Sequence, residues 1–224
     1  MAPMSTSKPM RPVVSHVGPD RATAASVAVF VDRDGVVNEQ RTGKYVHSWS
    51  DFTFLPDAID AFVALAEAGI ATFVVTNQGG VGRGFLSAAS LDDIHHRMVS
   101  AIREAGGRLD AIIHCPHAPA AGCNCRKPRP GMLIELASRF ALRLDRATFI
   151  GDNVTDLEAG RDAGCTTILV ATGEGVRSAA RLGIASPQGS GAADVQCIAM
   201  PGLRAVAPGL AAAVAYLIER TSPL

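Results

Sequence analysis

Neither sign of charge dominates this chain. Lys plus Arg and Asp plus Glu number 21 each in 224 residues, so there is no basic footprint for a nucleic acid. No apolar run approaches the roughly 20 residues that span a bilayer, so no membrane partner is expected. The first 24 residues, rich in Pro, Ser and Thr, hold no apolar signal core. Residues 1–24 are expected to be a disordered lead-in without chemistry; a pairing extension or an overlong start are the alternatives. An even set of cysteines is lacking as well. Three of the five crowd between Cys115 and Cys125, while Cys165 and Cys197 stand alone in apolar surroundings. That pattern fits metal binding in a reducing cytoplasm better than a disulfide framework. Apolar residues are plentiful at 48%, enough for a single domain over 25–224 and hardly for two.

Apolar runs at 26–31, 71–76, 109–114, 148–150 and 166–170 read as buried strands, with a less distinct one at 195–198. Segments with helical spacing at 57–68, 90–105, 132–140, 157–163 and 206–220 alternate with them. Ser90 and Asp93 form a candidate capping box for the second helix. The alternation predicts an α/β fold whose mainly parallel sheet is covered on both faces. His95 and His96 have no ligand-spaced partner and are expected on the surface. The polar and aromatic stretch 39–54, with Arg41, Lys44, Tyr45, His47 and Trp49, reads as a loop with at most a short hairpin. It is either a wall for a leaving group or an ordinary surface connection.

The carboxyl ends of parallel strands share one edge, where such folds bind ligands. The first strand ends in Asp32-Arg33-Asp34-Gly35 and the second in Thr76-Asn77-Gln78-Gly79-Gly80. The third leads through a cysteine-rich loop to Arg126-Lys127-Pro128, and the fourth into Gly151-Asp152-Asn153-Val154-Thr155-Asp156. Each motif alone has a plainer reading: a solvated acidic turn, an ordinary turn, a surface lysine, a helix cap. Together they gather carboxylates, a hydroxyl, amides and an ammonium, the groups that metal-assisted phosphoryl transfer needs. Two acids one residue apart repel unless a cation lies between them or one stays protonated. Mg²⁺ suits them, because it prefers one or two carboxylates with phosphate oxygens and water. Cys115-Pro116-His117 and Cys123-Asn124-Cys125 add a C-x-H-x5-C-x-C set. Three thiolates and an imidazole complete a structural Zn²⁺ site with no open position. His117 is chosen over His114, which sits on the strand; three free buried cysteines are the alternative. Such a site would pin the loop that carries Arg126 and Lys127.

Over about 27–175 these motifs resemble the haloacid dehalogenase (HAD) superfamily phosphatases, most closely the branch of the heptose bisphosphate and histidinol-phosphate phosphatases. The resemblance implies a HAD-like Rossmannoid three-layer fold with little or no cap domain and a Zn-binding loop. It also implies Mg-dependent hydrolysis of the 7-phosphate of D-glycero-D-manno-heptose 1,7-bisphosphate, in ADP/GDP-heptose and hence surface-polysaccharide biosynthesis. Histidinol phosphate, or a broad set of sugar and nucleotide phosphates, are alternative substrates. A non-catalytic Zn-loop binding protein is disfavoured by the presence of Asp32, Asp34, Lys127 and Asp152. By the same resemblance Asp32 is the nucleophile and Asp34 the general acid and then base. Mg²⁺ is held by the Asp32 carboxylate, the Asp34 carbonyl and Asp152. Thr76 and Lys127 hold the phosphoryl oxygens, Asn77, Gln78 and Gly79 line the phosphate pocket, and Arg126 faces the outer part of the substrate. Asn153 stands where heptose enzymes often carry Lys, which removes one cation from the phosphate pocket. Asn38 and the stretches 80–84 and 130–132 look more like the heptose branch, while the Zn loop occurs in both. The enzyme is expected to be a cytoplasmic monomer acting on a small sugar phosphate.

Overall fold

The computed structural model describes residues 10–18, 27–40 and 45–221. Its strands are β1 (Val13–Val17), β2 (Ala28–Val31), β3 (Ala71–Asn77), β4 (Ala111–Cys115), β5 (Ala147–Gly151), β6 (Thr166–Val170), β7 (Gln196–Met200) and β8 (Leu203–Ala207). They form one sheet in the order β1-β4-β3-β2-β5-β6-β8-β7. The six inner strands run parallel, and β1 and β7 close the two edges antiparallel.

Side chains alternate across a strand, and both faces of this sheet are apolar. Val29, Val31, Val74, Ile112, Ile150 and Ile168 point into a core shared with α1 (Ala58–Glu67), α3 (Ala88–Glu104) and α7 (Leu210–Thr221). Ala28, Phe30, Phe73, Val75, Ile113 and Phe149 point the other way, under α4 (Gly131–Phe140) and α5 (Val154–Ala163). Helix α6 (Gly175–Arg181) contributes Ala179 to a smaller cluster with Leu157, Leu169, Leu203 and Val206. A single helical turn, α2 (Gly79–Gly82), follows β3. This is the expected three-layer α/β architecture. Between β2 and α1 the chain forms a loop tied by isolated bridges Asp34–Asn38 and Asn38–Phe54. Trp49, Phe52 and Phe54 stack beneath it, with ring centroids 4.9 and 5.0 Å apart. No cap domain is present among the described residues, and no helix among them is long and apolar enough to cross a membrane.

Three elements differ from expectation. Residues 13–17 of the expected lead-in are an edge strand, because Val13, Val14 and Val17 offer β-branched residues to the open side of β4; residues 1–9 and 19–24 lie outside the described residues. Val206 and Ala207, read as the start of the last helix, are the end of β8, which inserts beside β6, and α7 begins at Leu210. A short Ala/Val run satisfies both patterns, and its strand partner decides between them. Helix α3 starts earlier than read: Ser87, not Ser90, is its N-cap, with Oγ accepting from Ser90 N at 3.0 Å.

Phe30 is fully buried at the centre of the sheet, 5.7 Å from the Phe73 ring and 6.4 Å from that of Phe149. Phe30→Ala should cost about 3–5 kcal/mol, read as a lower urea midpoint at unchanged slope. A loss below about 1 kcal/mol would contradict this packing.

Candidate active site

The four motifs meet at the carboxyl edge of the sheet, around a cleft of about 630 Å³. Asp32, Asp34, Asp152, Asp156, Thr76, Asn77, Gln78, Asn153 and Lys127 line it, with Tyr45, Arg83 and Arg126 further out. Residues 41–44, which include Arg41 and Lys44 of the expected outer wall, lie outside the described residues.

The turn after β2 is compact. The Arg33 carbonyl accepts from Val37 N at 2.8 Å and Asn38 N at 3.1 Å, and Gly35 N donates to Asn38 O at 2.7 Å. The Asp34 carbonyl receives no hydrogen bond among the described residues. Gly35 adopts a φ of +87°. A methyl group at Gly35 or Gly173 would overlap Asp152 Oδ2, so that carboxylate is threaded between two glycines. Glu174 N donates to the same oxygen at 2.8 Å.

Lys127 is 4% exposed. It pairs with Asp32 Oδ1 at 2.8 Å and Asp156 Oδ1 at 2.7 Å, and donates to the Val75 carbonyl at 3.0 Å. Burial disfavours its charge, but Asp156 and Asp32 more than compensate and raise its pKa. Asp32, Asp152 and Asp156 each offer an oxygen within a 4.8 Å cluster. Burial, with Asp156 and Asp34 adding against Lys127, pushes Asp32 up to about 7. Burial, then the charges of Asp32 and Asp156, pushes Asp152 up to about 8. Three carboxylates around one ammonium leave two negative charges, which a divalent cation would balance. Asp156 has Oδ1 on Lys127 and Oδ2 on Asn153 N. Asp32, Asp152 and the Asp34 carbonyl therefore fit Mg²⁺ better than Asp156 does.

Asp34 is gripped from three sides. Arg33 Nη2 donates to both its oxygens at 2.8 and 2.9 Å, Asn38 Nδ2 donates at 3.0 Å and Gln78 Nε2 at 2.9 Å. Burial raises its pKa, but the Arg33 charge and these donors lower it overall. Gln78 also donates to Thr76 Oγ1 at 2.9 Å, which leaves the hydroxyl proton free for another acceptor. The Asn77 amide is a strut: it accepts from Lys127 N and donates to Lys127 O, both at 3.1 Å. Asn153 caps α5, with Oδ1 accepting from Thr155 N at 3.2 Å. Gly79 sits behind the cleft, its missing Cβ 3.1 Å from Arg126 Nη1, a buried nitrogen with no hydrogen-bond partner. Asp156 belongs to a motif the sequence displays, yet its grip on Lys127 is a three-dimensional fact. His95 corrects an expectation: it is 1% exposed and touches Arg33, whereas His96 is on the surface as read. Helical periodicity carries this signal, since His95 follows Leu91 and Ile94 on the buried face.

The cysteine loop closes on itself. Sγ of Cys115 lies 3.6 Å from Cys123 and 3.5 Å from Cys125, and His117 Nδ1 lies 3.5 Å from Cys115 and 3.2 Å from Cys125. Zn–S bonds of about 2.3 Å in a tetrahedron put sulfurs about 3.8 Å apart, so the donor set fits that ion. Cys165 is buried apart from this cluster, and Cys197, expected in apolar surroundings, is exposed beside the Tyr216 hydroxyl at 3.3 Å.

A family model for HAD-hydrolase-like proteins matches residues 124–193. The D-glycero-β-D-manno-heptose-1,7-bisphosphate 7-phosphatase of Pseudomonas aeruginosa is 39% identical over 162 residues, covering 72% of this chain and 89% of its own. Among solved structures, the D,D-heptose 1,7-bisphosphate phosphatase of Bordetella bronchiseptica, complexed with magnesium and phosphate, superposes with a TM-score of 0.76 at 35% identity, covering 88% of this chain and 99% of its own. A HAD-like phosphatase structure from Mesorhizobium loti superposes at 0.74 with 26% identity and covers 96% of both chains.

The raised carboxyls have a calorimetric consequence. With pKa values of about 7 and about 8, Asp32 and Asp152 hold protons near neutrality in metal-free protein. Mg²⁺ binding should therefore release protons at pH 7 and tighten as pH rises to about 8, then level off. Titration calorimetry in buffers of different ionisation enthalpy checks this, and buffer-independent heats at pH 7 would refute it.

Proposed function

Because the chain belongs to the HAD-like phosphatases, we propose that it removes the 7-phosphate of D-glycero-D-manno-heptose 1,7-bisphosphate, with the β anomer preferred. The substrate and anomer are those named for the Pseudomonas relative. The observation that carries the reading is the meeting of Asp32, Thr76, Lys127 and Asp152 in one cleft.

Asp32 attacks phosphorus through Oδ2, since Oδ1 is already bound to Lys127 and to Arg33 N at 2.7 Å. The new Asp32–phosphorus bond forms as the bond to the C7 oxygen breaks. The electron pair goes to that oxygen, and Asp34 protonates it. Water then attacks the aspartyl phosphate, Asp34 takes its proton, and phosphate leaves with Asp32 restored. The lowered pKa of Asp34 suits the second half, and an incoming phosphate anion raises it for the first. Lys127 and the Thr76 hydroxyl hold the moving phosphoryl oxygens, and Asp156 and Asn77 hold Lys127. The Asp32 and Asp152 carboxylates and the Asp34 carbonyl would hold Mg²⁺, which would supply positive charge against those oxygens. Arg126, with its unpartnered nitrogen, takes the outer, anionic end of the substrate. Asn77, Gln78, Gly79 and Asn153 shape the pocket mainly by holding other groups in place. Cys115, His117, Cys123 and Cys125 bind a structural Zn²⁺ that fixes the loop leading to Lys127. A metal-binding cysteine set of this kind supports a reducing, cytoplasmic setting, and the domain gathers the site residues within one chain, as a monomer requires.

Asp32→Asn should lower kcat by about 10³-fold or more while fold and zinc content persist; substantial residual turnover would remove Asp32 from its role. A kcat/KM comparison of both heptose 1,7-bisphosphate anomers, histidinol phosphate and common sugar phosphates tests the substrate, and a preference for histidinol phosphate would reject the heptose assignment. Cys123→Ser should lose one equivalent of zinc by metal analysis and lower Tm by roughly 10 °C. Full stability without metal would overturn the structural role of the loop.

A further inference from the structure

Arg33 lies between the two catalytic aspartates, is 1% exposed, and reaches beyond the site. One arm of its guanidinium forks onto both oxygens of Asp34, at 2.8 and 2.9 Å. The other arm, Nη1, meets His95 Nε2 on α3 at 3.3 Å. Arginine has only donors, so this imidazole nitrogen accepts. The ring is then neutral and its Nδ1–H donates to Ser15 Oγ on β1 at 2.8 Å. Burial, followed by the Arg33 charge and the neighbouring His114, lowers the His95 pKa well below the usual value, which agrees with a neutral ring. His114 packs edge-on against it, with centroids 5.5 Å apart. The chain Ser15–His95–Arg33–Asp34 thus runs from an edge strand, through a helix, to the carboxyl that moves protons.

We propose that His95, braced by Ser15, is a positioning residue for proton transfer, acting through Arg33 on the Asp34 carboxyl; this rests on the reading of Asp34 as general acid and base. A buried guanidinium that lost its acceptor at Nη1 would rotate toward another partner. Its fork would turn with it, and so would the plane of the Asp34 carboxyl. Proton transfer depends steeply on that geometry. Neither the phosphoryl clamp nor the nucleophile touches His95, so attack on phosphorus is left alone.

The test separates the two halves of this claim by leaving group. A sugar alkoxide needs a proton to depart, whereas the phenolate of p-nitrophenyl phosphate does not. In the Mg²⁺-loaded full chain, Asp34→Asn should lose about 10²-fold or more in kcat on heptose 1,7-bisphosphate and far less in the formation of p-nitrophenolate in the first turnover. His95→Leu should lose about tenfold in kcat on the sugar, with KM and first-turnover p-nitrophenolate formation within about twofold of the parent. His95→Gln, which keeps an acceptor near the Nε2 position, should restore most of that loss. Ser15→Ala should show the same selective loss at about threefold, and it decides the matter if His95→Leu does not fold. If Asp34→Asn affects both substrates equally, the reading of Asp34 falls. If Asp34 behaves as stated but the His95 and Ser15 variants lower both substrates in proportion, or neither, the positioning role alone is overturned.

Discussion

Everything at the active edge is arranged around one buried ammonium. Lys127 sits between Asp32 and Asp156 with a backbone carbonyl as its third acceptor and the Phe149 ring 5.4 Å away. A lone lysine could not stay charged at that depth. With two carboxylates it does, and the arrangement is expensive to break from either side, because a lost partner leaves an uncompensated buried charge. Much of the surrounding structure serves to deliver this one group. The Asn77 amide clamps its backbone through two hydrogen bonds. The cysteine loop fixes the chain just before it, and Arg129 ties that loop to the carbonyls of Gly122 and Cys123.

The sheet order explains why the charges can meet at all. From β2 the chain winds outward through β3 to β4, then crosses back to place β5 on the other side of β2. Loops leaving β2 and β5 therefore part in opposite directions and open a crevice between them, the place where open α/β sheets bind ligands. Asp32 directly follows one of these strands and Asp152 the other. Their parallel pairing, with Val31 opposite Ile150, holds the two carboxylates at one level. Gly35 and Gly173 then let them approach without a side chain in the way.

How much of this was legible in the sequence depends on whether a residue's role follows from its type or from its neighbours. The meeting of Asp32, Asp34 and Lys127 at one edge, and the closure of the cysteine set, were legible, because carboxylates and thiols in those spacings have few other uses. The inner strands were legible as apolar runs bounded by polar ends. Strand β8 was not, since its last two residues, Val206 and Ala207, read as the start of a helix until β6 is beside them. Strand β1 was hidden in a stretch whose Pro and Ser content suggests disorder, and α6 lies in a stretch to which no element was assigned. Among the polar residues, Asn77, Gln78 and Asn153 were recognised as belonging to the site. A sequence does not say that one amide holds a lysine backbone, another holds a carboxyl and the third caps a helix. His95 was misread because a polar residue on an apolar helix face has no partner until Arg33 arrives from the turn after β2.

The outer cleft follows different physics from its floor. At the floor, buried charges fix one another, and any change of partner is felt throughout. At the rim, Tyr45 packs against the Phe85 ring at 5.9 Å and accepts from Arg83 at 3.3 Å, while the His47 ring donates to the Phe85 carbonyl at 2.8 Å. These contacts are solvated, so each is worth little alone, and the wall is held mainly by shape: Gly80 leaves just enough room for the Tyr45 ring, its Cβ position 3.1 Å away. These rim groups can therefore change without disturbing the charge balance below them. A fold without a cap domain can keep its chemistry fixed by burial and vary its selectivity at an exposed rim, because the two are held by interactions of different strength.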